Sequence, residues 1–219
     1  MRSERADQHI AKMAAHKTPY FKTINKIKLR IDDGVYPTGK IGKLFNKALS
    51  LSTININNKK VVLDYGTGTG FLAIAAAKNG AKVVGIDKNP IAIKSAIYNA
   101  EKNNVKNKID FRISNNLSAI CSQEKFDIVL AGLPWEDAIP CSSLEMAFYD
   151  EEFTMRKALA EHADKILVNN EGIILISYSK KVQDILPIEK FFPNFWITIL
   201  LEKVIDNDPH YILCLRLRS

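Results

Sequence analysis

The segment VVLDYGTGTGFLAIAAAKNG, residues 61–80, constrains the fold more than any other part of the chain. Its apolar start ends at a glycine, which is typical of a buried parallel strand. The alanine-rich stretch that follows predicts a helix, and Gly80 lies where a glycine commonly ends one. Because a strand that leads directly into a helix is the repeating unit of an α/β fold, we expect a parallel sheet.

The same alternation continues through most of the chain. A second helix is predicted in residues 90–104, with Asn89 as its cap, and a long helix in residues 144–167. The last two apolar runs, 195–205 and 211–218, are joined by a short turn and are expected to pair as an antiparallel hairpin. Further parallel strands are predicted in residues 81–87, 109–113, 126–132 and 172–179. The predicted fold is therefore α/β: a doubly wound, mostly parallel seven-stranded sheet with an antiparallel C-terminal hairpin, whose ligands bind beyond the carboxyl ends of the strands.

The chain length limits the number of domains. With 219 residues, 47% of them hydrophobic, the chain can form one catalytic domain and a small appendage. We expect the domain in residues 36–219 and a basic N-terminal extension in residues 1–35, which we predict to contact a substrate or partner. A transit peptide is the alternative for the extension, but no apolar region or cleavage-site pattern follows it.

Composition excludes several classes of protein. No apolar run approaches the roughly 20 residues that span a bilayer, so we expect no membrane contact and a cytoplasmic location. The three cysteines and four histidines are scattered, which predicts neither a disulfide framework nor a metal site. The formal charge of +7 permits an acidic partner such as RNA.

The sequence comes close to two common nucleotide-binding motifs but matches neither. The dinucleotide fingerprint G-x-G-x-x-G requires a third glycine at position 71, where this chain has Phe71. A phosphate-binding loop is nearly spelled by GVYPTGKI, residues 34–41. It fails at Ile41, which has no hydroxyl for magnesium, and at Pro37, which has no N–H for a phosphate.

The pattern that is present, D-x-G-x-G-x-G in residues 64–70, resembles that of the class I S-adenosylmethionine-dependent methyltransferases. The resemblance extends from about Tyr36 to Ser179. It implies S-adenosylmethionine as cofactor, with the glycine loop touching its methionine portion; a plain tight turn is the alternative for the glycines. The cofactor-binding residues expected from the resemblance are Asp64, Gly66, Thr67, Gly68, Gly70, Asp87, Asn115 and Gly132.

Two of these residues follow the next strands of the sheet. Asp87 ends the strand after the glycines, where the resemblance implies that its carboxylate accepts hydrogen bonds from ribose hydroxyls. Capping of the helix that follows is the alternative. Asn115 matches the position of an adenine-binding aspartate in the family, and an amide can make the same bond; an Asx turn is its alternative.

The loop after the fourth strand indicates the chemistry. Its sequence GLPWED, residues 132–137, is similar to the Asn-Pro-Pro-Tyr loop of methyltransferases that modify planar nitrogens, in the group of release-factor glutamine and ribosomal RNA guanine methyltransferases. Gly132 replaces the asparagine that helps to hold a carboxamide, which favours an amine or ring nitrogen as the acceptor. Glu136 and Asp137 could orient or deprotonate a cationic amine, or be solvated charges; Trp135 could be a flat wall for the acceptor, or a core residue. The catalytic residues expected from this loop are Leu133, Pro134, Trp135 and Glu136.

We therefore predict an S-adenosylmethionine-dependent methyltransferase that acts on a nitrogen of a protein or peptide, or of RNA. A small molecule is a further possible acceptor. The alternatives in other classes are an NAD-dependent oxidoreductase and a cofactor-binding module that has lost catalysis. The sequence predicts no oligomeric state, and it assigns no role to His210.

Overall fold

A computed structural model of the protein describes residues 4–218. From residue 61 to residue 179 its strands and helices alternate, except that the strand 109–113 is followed by the strand 128–131 without a helix between them. The strands are β1 (Tyr20–Ile24), β2 (Ile27–Ile31), β3 (Val61–Tyr65), β4 (Lys82–Asp87), β5 (Ile109–Ile113), β6 (Ile128–Ala131), β7 (Ile173–Ser179), β8 (Phe195–Ile205) and β9 (Asp208–Leu217). The α-helices are α1 (Glu4–Ala14), α2 (Lys40–Leu49), α3 (Phe71–Lys78), α4 (Pro90–Lys102), α5 (Thr154–Ile166), α6 (Lys180–Ile185) and α7 (Ile188–Phe191).

Seven of these strands form one sheet in the order β5-β4-β3-β6-β7-β9-β8. The first five are mutually parallel, whereas β9 is antiparallel to both β7 and β8. This confirms the predicted fold. The chain moves outward from β3 to β5 and then returns to the other side of β3 with β6, so the carboxyl ends of β3 and β6 flank the crevice where such sheets bind ligands.

The core has two layers because helices cover both faces of the sheet. One layer joins α2, α3 and the hairpin β1–β2 to the sheet, and the other joins α5 and α7 to the opposite face. Every residue of β6 and β7 is buried, as expected for central strands with helices on both sides.

The long helix predicted for residues 144–167 is wrong in its first ten residues, since α5 begins only at Thr154. Glu152 and Phe153 have φ of +53° and +54°, which is incompatible with a continuous helix. The carboxylate of Asp150 then caps α5: one oxygen accepts from the Thr154 hydroxyl at 2.7 Å and the other from Met155 N at 2.9 Å. Buried capping by Asp150 therefore places the start of this helix, and the apolar spacing upstream belongs to short turns.

The predicted N-terminal extension has two structurally different parts. The hairpin β1–β2 packs into the core, and two side chains, one in α4 and one directly after it, fix β2 to the domain. Asn99 accepts from Arg30 N at 2.7 Å and donates to Arg30 O at 3.1 Å, and Asn103 bonds both backbone groups of Lys28 in the same way. Helix α1 instead contributes residues to the wall of a cavity at the carboxyl ends of the strands.

Candidate active site

A cavity of about 440 Å³ lies at the carboxyl ends of β3, β4, β6 and β7. Its walls include the glycine loop, the segment 34–39 before α2, the loop 132–136, the turn between β8 and β9, and α1. This is where the topology of the sheet predicts a ligand.

Asp64 holds the glycine loop in place. Its carboxylate is buried, and one oxygen, Oδ2, accepts from both the Thr67 hydroxyl at 2.7 Å and Ala73 N at 2.9 Å. Burial raises the pKa of Asp64 to about 6, while the two hydrogen bonds act in the opposite direction. Asp64 and Thr67 both line the cavity, and the hydrogen bond between them shapes the turn. Their contact with the cofactor stays a prediction.

The glycines of the loop serve two different purposes. A Cβ added at Gly68, where φ is +53°, would meet no heavy atom of the described chain within 4 Å, because it would point into open space. A Cβ added at Gly70, where φ is +77°, would lie 3.0 Å from the Cβ of Ala96 on α4. Gly68 therefore leaves room for a ligand beside the loop, whereas Gly70 allows α3 and α4 to pack closely.

Asp87 joins the end of β4 to the glycine loop. Its Oδ2 accepts from Gly68 N at 2.8 Å and its Oδ1 from Asn89 N at 2.9 Å, and burial raises its pKa. The cap of α4 is Asn89, whose side chain accepts from Ile91 N at 2.9 Å, so Asp87 does not have that alternative role. Asp87 lines the cavity on the side where its predicted ribose contacts would be made.

In the turn after β5, the residues that line the cavity are the two neighbours of Asn115 and not Asn115 itself. Of the described residues in this turn, Ser114 and Asn116 line the cavity, while the Asn115 side chain is exposed and outside the lining. The Ser114 hydroxyl donates to Asn116 O at 2.9 Å, and Asn116 Oδ1 accepts from the Tyr65 hydroxyl at 3.2 Å. The adenine contact of Asn115 stays a prediction, and the structure brings two other polar side chains to the same wall.

The loop after β6 is held from two sides. The Gly132, Leu133, Pro134 and Trp135 positions all line the cavity. Trp135 N and Glu136 N both donate to Phe148 O, at 3.2 and 3.0 Å, and Arg156 donates to Pro134 O. The loop that we predicted to carry the chemistry therefore has a fixed backbone.

Arg156 was missed by the sequence analysis, which assigned its helix only an amphipathic role. Its guanidinium is buried between the rings of Phe153 and Tyr178, with centroids 5.8 and 5.5 Å from Cζ. Burial lowers its pKa to about 10, and its Nε and Nη2 have no hydrogen-bond partner within residues 4–218. A buried arginine spaced 22 residues from the loop gives no local sequence signal.

The two acidic residues of the loop face different surroundings. Glu136 lines the cavity and pairs with Lys181 of α6, whose Nζ lies 2.9 and 3.1 Å from the two carboxylate oxygens. Asp137 is exposed and accepts from Glu152 N at 2.7 Å. Only Glu136 is therefore placed to act on a bound molecule.

His210 and Ser177 complete the far end of the cavity, and the sequence analysis identified neither. The His210 ring stacks on Trp135 with centroids 4.5 Å apart. His210 reaches the carboxyl end of β7 because β9 runs antiparallel to it and pairs His210 with Ser179. The available signal was a histidine at the start of an otherwise apolar strand.

Helix α1 covers one side of the cavity. Arg5, Ala6, His9 and Met13 are among the lining residues. Arg5 pairs with Asp206 of the β8–β9 turn at 3.5 Å, and Asp7 accepts from the Tyr149 hydroxyl at 2.7 Å.

Residues 4–218 contain no group of three or more His, Cys, Asp or Glu side chains arranged to hold a metal ion. No helix in this part of the chain is both long enough and apolar enough to cross a bilayer.

Comparisons with known proteins agree with this geometry. A family model described as Ribosomal protein L11 methyltransferase (PrmA) matches residues 13–133, more than half of the chain. A candidate protein N5-glutamine methyltransferase of Methanocaldococcus jannaschii is 39% identical over 130 residues, which are 57% of this chain and 61% of that protein. A ribosomal protein L11 methyltransferase of Pseudoalteromonas atlantica is 38% identical over 106 residues, 48% of this chain and 33% of that protein. The chain thus spans between one third and about three fifths of the length of these relatives.

Solved structures share the fold. A ribosomal protein L11 methylase from Lactobacillus delbrueckii subsp. bulgaricus has a TM-score of 0.64 and 22% identity, with 90% of each chain covered. A Thermus thermophilus 16S rRNA N2 G1207 methyltransferase in complex with AdoMet and guanosine has a TM-score of 0.68 and 21% identity, covering 91% of this chain and 50% of that one. With the family match, the fold and the glycine loop in agreement, the methyltransferase class predicted from the sequence is confirmed, and the chain belongs to the ribosomal protein L11 methyltransferase (PrmA) family.

Proposed function

We propose that this protein transfers a methyl group from S-adenosylmethionine to a nitrogen of a protein or peptide. The observation that carries the proposal is the 2.8 Å hydrogen bond from Gly68 N to Asp87 Oδ2. It places a carboxylate beside the open space at the glycine loop. From there one continuous cavity leads to Trp135 and Pro134 at the end of β6. A nucleoside at one end and an acceptor at the other therefore share a single space.

The residues present fit the cofactor. Asp87 is a buried acceptor suited to ribose hydroxyls, and Ser114 and Asn116 offer polar atoms on the adjoining wall. The open space at Gly68 admits the methionine portion beside the loop backbone. When bound, S-adenosylmethionine supplies a methyl group on an electrophilic sulfonium.

The chain itself supplies alignment and exclusion of water. The loop 132–136 is fixed by Phe148 O and Arg156, so an acceptor that contacts it is held in one direction. Since methyl transfer is an in-line displacement, most of its cost is alignment and desolvation, which a rigid, partly covered cavity reduces.

The relatives favour a protein nitrogen over an RNA nitrogen as the methyl acceptor. Those more than 30% identical are named for protein substrates, ribosomal protein L11 and glutamine, whereas the RNA methyltransferases are similar in fold only. Gly132 has no side chain to hold a carboxamide, so we place an amine ahead of an amide.

Binding and turnover test this function separately. Calorimetry is expected to detect S-adenosylhomocysteine and not NAD; binding of NAD alone would contradict the proposal. Methyl-labelled cofactor is then incubated with purified ribosomal protein L11, with ribonuclease-treated cell extract and with extracted RNA. Label in the protein fractions is expected. Label in RNA alone would give the second candidate acceptor, and cofactor binding without any transfer would favour a module that has lost catalysis.

A further inference from the structure

The acceptor end of the cavity contains buried polar atoms without partners. Neither the Ser177 hydroxyl nor either ring nitrogen of His210 has a hydrogen-bond partner within residues 4–218. Both residues are only 1% exposed, and both line the cavity. A buried polar group without a partner costs about 1–3 kcal/mol, so native proteins rarely keep one unless a ligand or water completes it.

The surroundings of His210 suit a base for a cationic group. Its Nε2 lies 3.7 Å from Asp208 Oδ2, and the charged groups that act on the ring are Asp208 and Asp206 from the β8–β9 turn and Arg5 from α1. Its partners across the sheet are Ser179 on β7 and Lys203 on β8. Burial lowers the pKa of His210, which keeps the imidazole neutral near pH 7 and leaves one ring nitrogen with a free electron pair.

We propose that Ser177 and His210 form the subsite for the acceptor nitrogen, and that His210 removes a proton from a primary ammonium group bound there. This inference rests on the proposed function and assigns two residues of this chain to its acceptor end. In the step, an N–H bond of the ammonium group breaks and its electron pair stays on the acceptor nitrogen. The proton forms a new N–H bond on the imidazole, and Asp208 stabilises the resulting imidazolium before the proton passes to water.

The position of Trp135 supports an amine over a flat base. The indole lies against the imidazole at 4.5 Å, so an acceptor reaches His210 along the face of the indole. The face of a tryptophan ring attracts a cation, and Asp208 adds negative charge at the same end, whereas the charge of Asp206 is paired with Arg5 and Lys40.

The pH dependence of transfer distinguishes a base from a structural histidine. The substrate is Nα-acetyl-lysine methylamide, and the variants are His210→Gln and, as matched control, His162→Gln on the exposed face of α5. In the wild type and the control, kcat/KM should rise with pH through the lowered pKa of His210 and stay level up to the pKa of the amine, about 10.4. In His210→Gln only the uncharged amine reacts, so kcat/KM should keep rising to about pH 10 and be about 100-fold lower at pH 7. Parallel profiles in wild type and His210→Gln would overturn the inference.

A second measurement needs no turnover. The protein with ¹⁵N-labelled histidine is saturated with S-adenosylhomocysteine and titrated with Nα-acetyl-lysine methylamide, or with the norleucine analogue that lacks the amine. The ring signals of His210, assigned by their absence in His210→Gln, should move with the lysine compound only, while those of His162 stay unchanged. If S-adenosylhomocysteine does not bind, the proposed function fails. If it binds but the His210 signals do not move with the lysine compound, or move equally with the norleucine analogue, this inference alone fails.

Ser177→Ala checks the other half of the subsite. Because its hydroxyl has no partner among the described residues 4–218, the free energy of unfolding should be unchanged or higher. The lost hydrogen bond to the bound ammonium group should raise KM for the lysine compound three- to tenfold, about 0.5–1.5 kcal/mol. A loss of stability with an unchanged KM would show that Ser177 is structural.

Discussion

The two ends of the cavity satisfy their polar groups in different ways. At the cofactor end, the carboxylates of Asp64 and Asp87 accept hydrogen bonds from the chain itself. At the acceptor end, the Ser177 hydroxyl and both ring nitrogens of His210 have no partners within residues 4–218. The first end is preorganised before anything binds, whereas the second is completed by what binds.

The two ends also differ in how the chain builds them. The main cofactor-end groups come from one stretch of 26 residues, 64–89, which is a single β-α-β unit. The acceptor end brings together the loop 132–136, the end of β7, the start of β9 and α1. A local unit can be rigid by itself, while the acceptor end depends on the whole sheet being assembled.

Asp64→Asn should have the largest effect, because it removes the charge buried at the preorganised end. Both bonds to Asp64 end on one oxygen, so the asparagine carbonyl can keep them. The pKa of Asp64 is raised in the folded state, from 3.8 to about 6, so its contribution to stability is full below pH 3.8 and is lost as pH rises to about 6. Between pH 3 and 7 the free energy of unfolding of the wild type, relative to the variant, should fall by about 3 kcal/mol. Urea unfolding at a series of pH values measures this, and a difference that does not change with pH would show that Asp64 is not titrating.

Asp87→Ala should remove the ribose contacts and leave the acceptor end intact. Hydrogen bonds to a charged group contribute about 1.5–3 kcal/mol, so the Kd for S-adenosylhomocysteine should rise about 100-fold in calorimetry. Asp110→Ala is the matched control, because this aspartate lies on the neighbouring β5 but is exposed and pairs with Arg112. An Asp87→Ala protein that binds as tightly as the control would remove Asp87 from the cofactor site.

Substitutions of two glycines test whether one is needed for the packing of the loop and the other for room beside the bound ligand. Gly70→Ala places a Cβ against Ala96 and should lower the free energy of unfolding by about 2 kcal/mol. Gly68→Ala meets open space, so it should cost only about 1 kcal/mol for its positive φ but weaken S-adenosylhomocysteine binding about tenfold. Thermal unfolding measures the stability of both variants, and calorimetry measures their affinity for S-adenosylhomocysteine. If the two variants were equally stable and lost the same affinity, the two glycines would not have separate roles.

The difference between the two ends explains what the sequence could predict. The glycine loop, Asp87 and the strand order follow from local patterns, since a buried strand, a tight turn and a helix are encoded within 20 to 30 residues. The sequence predicted Asn115 at the cavity wall, but the residues that line it are its neighbours Ser114 and Asn116. The periodicity of β5 does not determine the conformation of the turn that follows it. Loop 132–136 was also found, by its resemblance to a known motif.

The remaining site residues could not be predicted for a physical reason. His210 and Ser177 meet only because β9 inserts antiparallel beside β7, and that register depends on the entire sheet. Arg156 is buried in a helix whose pattern is that of any amphipathic helix, and its contact with Pro134 O appears only when α5 packs on the sheet. Single polar residues brought together over such distances give no signal in a sequence read alone.

Trp135→Ala is the substitution with the smallest expected effect, and it tests whether the two ends of the cavity act separately. The indole lies at the acceptor end, with its ring centroid 4.5 Å from that of His210, whereas Asp87 is held by the backbone N–H groups of Gly68 and Asn89. Its removal takes away a wall for the acceptor, an interaction of about 0.5–2 kcal/mol, and loosens the alignment that transfer requires. The transfer rate should fall by about tenfold while the Kd for S-adenosylhomocysteine changes by less than about twofold.

The control for this variant is Trp196→Ala, because Trp196 is 62% exposed on β8 and packs on Arg218 outside the cavity. Both variants remove an indole, so a loss specific to Trp135 reports its position. Circular dichroism and calorimetry establish that each variant is folded and binds S-adenosylhomocysteine. If Trp135→Ala abolished cofactor binding or unfolded the protein, the indole would be part of the shared core, and the two ends of the cavity would not be energetically separate. If only transfer falls, the preorganised end holds the cofactor independently, and specificity for the acceptor lies in the end that its ligand completes.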